Sequence, residues 1–180
     1  MELKINHKFM RWIITAIIVS IPFLHLWLHA LLAWWRKRPY LYYLIFCPLV
    51  WLAAILFFKN IDSTFPSLLF SPTQLVSKVG KILMLLGLVA IISSVITLGP
   101  KRFFMWAVLR PESVRRTRVT RGPFAFLPHP AYFGYLTVAF GNFLSSGKFY
   151  LSAVFALLFA LTPIVIWFEE KELSERIDKK

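Results

Sequence analysis

Residues 130–168 read PAYFGYLTVAFGNFLSSGKFYLSAVFALLFALTPIVIWF, and Lys148 is the one charged side chain among them. Pro130 to Ser145 forms a first apolar segment and Phe149 to Phe168 a second. At 1.5 Å per residue the first makes a helix of about 24 Å, short of a hydrocarbon core of roughly 30 Å, whereas the second, about 20 residues long, spans it. Between them, Ser145-Ser146-Gly147-Lys148 has the small and polar residues of a turn, so the pair is expected to fold as a tight helical hairpin. Gly134, Gly141 and Ser145 fall near one face of the first helix, where small side chains admit a close neighbour.

Three more apolar runs precede this hairpin: Phe9–Trp35, Tyr40–Phe58 and Val79–Leu98, the last closed by Gly99-Pro100. The expected fold is therefore all-α, a polytopic membrane helical bundle of about five transmembrane helices. It forms one integral membrane domain over residues 1–180, with 1–100 a three-helix scaffold and 101–180 a basic loop, the hairpin and a cytoplasmic tail. Composition agrees, since 58% of the chain is hydrophobic and 16% charged, against about 45–50% and 25% in soluble domains. Its wealth of aliphatic and aromatic residues excludes disorder. The basic start and the apolar Ile13–Leu24 resemble a signal peptide, but bulky residues continue to Arg36-Lys37-Arg38, so the run reads as a retained span. Pro22 and Pro163 are expected to bend their helices, and Phe103–Leu109, too short to cross, to lie at the interface.

The formal charge is +13, and Glu169, Glu170, Glu172, Glu175 and Asp178 hold most of the acidic charge, so the rest of the chain is strongly basic. Lys and Arg sit between apolar runs, which matches anionic lipid headgroups and makes membrane lipids, not nucleic acid, the expected partner. The cluster from Lys101 to Arg121 places that loop, Arg36-Lys37-Arg38 and the tail after Glu169 in the cytoplasm, with the amino terminus outside. Cys47 is the single cysteine, which excludes a disulfide framework and a cysteine-based metal site. His25 and His29 share a helix face without a third ligand, so no metal is expected and both are read as hydrogen-bonded scaffold residues of the bundle.

The stretch richest in chemistry runs from Arg121 through Gly122-Pro123-Phe124 to His129-Pro130-Ala131-Tyr132-Phe133-Gly134. Pro130 suits the first turn of a helix, where its missing N–H costs nothing, and this leaves His129 beside a helix start that favours anions. Glu169 and Glu170 close the last span on the same side, two carboxylates able to hold a cationic ligand at the mouth of the bundle.

This pattern resembles the carboxy-terminal signature of the isoprenylcysteine carboxyl methyltransferase and phospholipid N-methyltransferase group of membrane enzymes. That signature runs Gly-Pro-Tyr, a few residues, Arg-His-Pro-x-Tyr-x-Gly, an apolar hairpin, then Glu-Glu-x-x-Leu. Here Gly122-Pro123-Phe124, His129-Pro130-Ala131-Tyr132-Phe133-Gly134 and Glu169-Glu170-Lys171-Glu172-Leu173 match it, and the first hundred residues match in hydropathy alone. The resemblance implies methyl transfer from S-adenosylmethionine to a lipid or lipidated small acceptor that enters sideways from the bilayer. It implies a cytosolic cofactor pocket lined by His129, Pro130 and Tyr132, with Glu169 and Glu170 on the polar groups of the cofactor, and it assigns no catalytic residue. The charges agree, because a sulfonium and an ammonium suit carboxylates and a carboxylate suits a helix start.

Pro128 stands where the family has arginine, Phe124 replaces a tyrosine, and no Phe-Gly stretch follows Leu173. Arg121, or Arg118, is then the nearest cation for the cofactor carboxylate. Two other classes share parts of the pattern. Sterol reductases, which use NADPH, carry His-Pro-Asn-Tyr and a glutamate, where this chain has Ala131 and Tyr135, with Arg115, Arg116 and Arg118 as a phosphate cluster. A non-catalytic scaffold or transporter would account for the lost arginine.

Overall fold

The computed structural model describes residues 7–64, 70–113 and 117–178, and over these the chain is helical without a β-strand. The helices are α1 (His7–Ala30), α2 (Leu32–Arg36), α3 (Tyr40–Thr64), α4 (Gln74–Leu98), α5 (Pro100–Phe103), α6 (Trp106–Leu109), α7 (Pro130–Ser146) and α8 (Tyr150–Asp178). Single 3₁₀ turns lie at Pro111–Ser113 and Gly122–Ala125. Three segments, Tyr40–Ile61, Gln74–Leu98 and Tyr150–Ile177, are long and apolar enough to cross a membrane. On α4 the outward side chains Leu75, Ile82, Leu85 and Ile96 are 57–75% exposed, a surface that lipid solvates and water does not.

The expected helical bundle is therefore present, with shifted boundaries. The first apolar run divides at Leu31 into α1 and α2, and α3 continues to Thr64 beyond the expected Phe58. α4 begins at Gln74, ahead of Val79, because Thr73 caps it by accepting the Val76 N–H at 3.3 Å. The largest shift is in α8, which runs past Phe168 to Asp178. Glu, Lys, Leu and Arg are good helix formers, and Glu172 pairs with Arg176 one turn on, so the stretch expected as a tail stays helical. Glu169 and Glu170 are thus fixed on a rigid rod.

The closest helix pair is α4 with α7, not the hairpin pair α7 with α8. Gly80 and Gly87 of α4 meet Gly141 and Gly134 of α7 with no side chain between them. A Cβ on Gly80 would lie 2.7 Å from Gly141 O, and one on Gly87 2.6 Å from Gly134 O. The small face anticipated on α7 exists, but its partner is α4, which alone offers glycines two turns apart to receive it. The hairpin turn is made by Gly147 at φ 73°, in the left-handed region, and its carbonyl accepts the Phe70 N–H at 2.6 Å just before α4.

On the opposite side α1 packs on α3 and α8, and Ala16, Phe58, Tyr135, Val138, Leu158 and Val165 form a core between these helices and α7. Phe103–Leu109 does not form a surface-lying helix. It makes α5 and α6 around Met105 (φ 61°), and Met105, Val108 and Leu109 are buried against Leu24, Leu28, Trp35 and Tyr43. Arg36 donates to Val108 O at 3.0 Å, while Arg110 donates to Arg36 O at 2.9 Å and to Arg38 O at 2.5 Å. These bonds bring both basic clusters to the end of the bundle where α8 finishes.

Candidate functional site

At this basic end α1, α7 and α8 converge on two carboxylates. Pro130 occupies the first turn of α7, and His129 at the N-cap makes no capping bond, so its ring is available to α8. His129 Nε2 lies 2.7 Å from Glu170 Oε1 and Nδ1 lies 3.4 Å from Glu169 Oε2. Ionised carboxylates only accept hydrogen bonds, so Nε2 donates to Glu170, and a positive charge on the ring is favoured by both carboxylates. Burial opposes that charge, but the hydrogen bonds and charges of Glu169 and Glu170 prevail and raise the His129 pKa above its usual value.

Tyr132, on the same face of α7, donates its hydroxyl to Glu169 Oε1 at 2.5 Å. From α1, His25 Nδ1 meets the Tyr132 hydroxyl and lies 3.2 Å from Glu169 Oε1. Glu170 also pairs with Arg118. Behind this group Glu172 is buried and pairs with Arg36 at 3.2 Å. It also lies 3.4 Å from Arg176 Nε, within ion-pair range but without hydrogen-bond alignment.

These groups open on a cavity of about 480 Å³. His25, His129, Tyr132, Glu169, Glu170, Arg102, Arg118 and Arg176 form its polar part, and Ile21, Leu24, Leu44, Cys47, Pro48 and Trp51 of α1 and α3 its apolar part. A mostly apolar chamber with a few convergent polar groups is the usual form of a small-molecule site.

Of the residues singled out in the sequence, His129, Tyr132, Glu169 and Glu170 come together on this cavity. Pro130 is buried at the start of α7 and sets the position of His129 without lining the cavity. Arg121 is exposed and lies outside the cavity wall, where Arg118 stands instead. Next to Arg121, Gly122 at φ 60° backs onto Thr97 of α4. Arg115 and Arg116 lie outside the described residues. Pro128 and Phe124, the two departures in the motif, both face the cavity.

Sequence reasoning missed three members of the lining. Arg102 enters from α5, Arg176 from α8, and His25, expected as scaffold, faces the cavity from α1. A signal for His25 was present, since an ionisable residue inside an apolar span is costly and by default marks function. Its neighbour His29 behaves otherwise: it is buried, stacked on Phe168 with centroids 6.0 Å apart, and its Nε2 has no partner among the described residues.

No curated protein and no solved structure matches this chain. The sequence profile of the phospholipid methyltransferase family matches residues 76–179, more than half of the chain and all of α7. With the apolar helices and the carboxylate–histidine cluster inside that match, this integral membrane protein belongs to the phospholipid methyltransferase family.

Proposed function

We propose that the whole chain works as one membrane domain that transfers a methyl group from S-adenosylmethionine to a lipid or lipidated acceptor. The observation that carries this reading is the joining of charged and apolar walls in a single cavity. The residues suit the cofactor. Glu169 and Glu170 would face its cationic sulfonium and ammonium, and Arg118 and Arg102 its carboxylate. Arg118 and Glu170 are 47% and 38% exposed, and such pairs contribute about 0–1 kcal/mol, so a ligand bearing both charges can part them and serve each. The motif arginine lost at Pro128 therefore does not leave the cavity without cations. When bound, the cofactor supplies an electrophilic methyl group on sulfur.

The chain supplies position and environment. Tyr132, His25 and His129 hold Glu169 in one orientation, and Leu44, Pro48 and Trp51 offer an apolar wall to an acyl or prenyl chain. Aligning donor and acceptor in a water-poor chamber provides most of the acceleration that such a transfer needs. The site shares its end of the bundle with Arg36-Lys37-Arg38 and with the Lys101–Arg121 region, which supports a cytoplasmic opening.

The test is calorimetry of the detergent-purified protein with S-adenosylhomocysteine and, separately, NADPH. Binding of the first alone is expected. Binding of NADPH alone would replace this reading with a reductase, and binding of neither with a non-catalytic scaffold. For orientation, a cysteine at Ser113 in a Cys47-free background should resist an impermeant thiol reagent in intact cells.

A further inference from the structure

His25 lies on α1, outside the residues that the family profile matches, so nothing in that match assigns it a role. Its hydrogen bonding does. The Tyr132 hydroxyl has one hydrogen, and at 2.5 Å from Glu169 Oε1 that hydrogen goes to the carboxylate, which can only accept. The contact between His25 Nδ1 and the same hydroxyl oxygen therefore needs a hydrogen on Nδ1, and that N–H also faces Glu169 Oε1 at 3.2 Å. With Nδ1 carrying the hydrogen, a proton acceptor on this ring is Nε2, which has no hydrogen-bond partner among the described residues, and the side chain lines the cavity. His129 is the opposite case: its Nε2 is committed to Glu170 at 2.7 Å and its Nδ1 faces Glu169 at 3.4 Å, so neither nitrogen is open to a ligand proton. A carboxylate that holds the N–H of one ring nitrogen leaves the other as a base, the arrangement by which hydrolases activate a nucleophile.

We propose that His25 is the general base that takes a proton from the methyl acceptor, an amine. This rests on the methyltransferase reading. Its neighbours Ile21 and Leu24 line the apolar part of the cavity, and its partner Glu169 lines the polar part, so His25 stands where a lipid tail would meet a polar headgroup. An ammonium cannot attack until it loses a proton. The acceptor ammonium gives one N–H proton to Nε2, and the freed lone pair forms the N–CH₃ bond as the S–CH₃ bond breaks and its electron pair stays on sulfur. The products are an N-methylammonium, a neutral thioether and a His25 imidazolium whose Nδ1–H is held by Tyr132 and Glu169. The proton then returns to water at the cavity mouth.

The test uses the full-length protein in detergent, S-adenosylmethionine and phosphatidylethanolamine vesicles. His25→Ala is expected to lose methyl transfer by about 10²–10⁴-fold, well beyond the loss of S-adenosylhomocysteine affinity that comes from loosening Glu169, and added imidazole should restore part of the rate. His25→Asn keeps a donor near the Nδ1 position but no base, so the loss should be similar. Histidine ¹⁵N spectra, with His25 assigned through the Asn variant, should give a bare Nε2 and a protonated Nδ1. Four results overturn the proposal: a proton on Nε2 of the neutral ring, near-wild-type transfer by His25→Asn, parallel loss of rate and affinity without imidazole rescue, or wild-type methylation confined to a carboxylate acceptor. A wild type that binds no S-adenosylhomocysteine overturns the methyltransferase reading instead, and the tautomer still decides whether the hydrogen-bond chain is as described.

Discussion

Gly134 and Gly141 on one face of α7 meet α4 backbone to backbone, whereas His129, Tyr132 and Tyr135 on the other face look across a cavity of about 480 Å³ toward α1 and α8. One seventeen-residue helix thus serves two purposes. On the α4 side the contact depends on the absence of atoms, since a membrane offers little hydrophobic drive between helices and close van der Waals approach must replace it. On the cavity side packing is open, and charge and hydrogen bonding decide the arrangement. Size should therefore govern substitutions on the first face and charge on the second.

The sharpest way to break this division is Gly141→Leu. The new side chain would strike Gly80 O and the Met84 backbone, neither of which can yield as a flexible side chain does. Overpacking costs typically 1–3 kcal/mol, and here about 3 kcal/mol or more is expected, read as loss of folded protein in a detergent unfolding titration. Substitution to Leu at Phe133, which is 48% exposed on the same helix, should leave stability within about 0.5 kcal/mol.

Next in size is Glu169→Gln, which keeps volume and removes the charge that His25, Tyr132 and His129 share. S-adenosylhomocysteine affinity should fall by about 2–4 kcal/mol in calorimetry, with helical circular dichroism unchanged. Loss of the helical signal would mean that the carboxylate organises the fold and not only the ligand site.

A smaller effect, about 1–3 kcal/mol in the same assay, is expected for His129→Ala. It carries a pH signature as well. Because Glu169 and Glu170 raise the His129 pKa, its ion pairs are fully present below the usual histidine value of about 6.5 and fade as pH rises through the raised one. Wild-type stability should decline as pH rises through that window, and the variant should lack this step.

The least effect separates two arginines. Arg118→Lys, at an exposed pair with Glu170, should weaken cofactor binding by about 1 kcal/mol, and Arg121→Lys by less than about 0.5 kcal/mol. The reverse order would show that Arg121, and not the cavity-lining Arg118, serves the cofactor.

Much of this molecule can be read from its residues alone. Long apolar runs dictate helices because lipid offers no partner for backbone groups, the Ser145–Lys148 break dictates the hairpin, and the spacing of Gly134 and Gly141 marks one face of α7 as close-packed. The placing of His129 and Glu169 at opposite ends of that hairpin brings them to one side of the bundle. What each face meets was decided only in three dimensions. Periodicity tells which side of a helix is special but not its partner, so α4 and not α8 received the glycines. Hydropathy also treats lipid and protein as the same solvent, so an apolar run looks the same whether its histidine is scaffold or site. That is why His25, marked by its place in an apolar span, gained its partners only in the fold, and why the fold had to decide that Arg118 and not Arg121 meets Glu170.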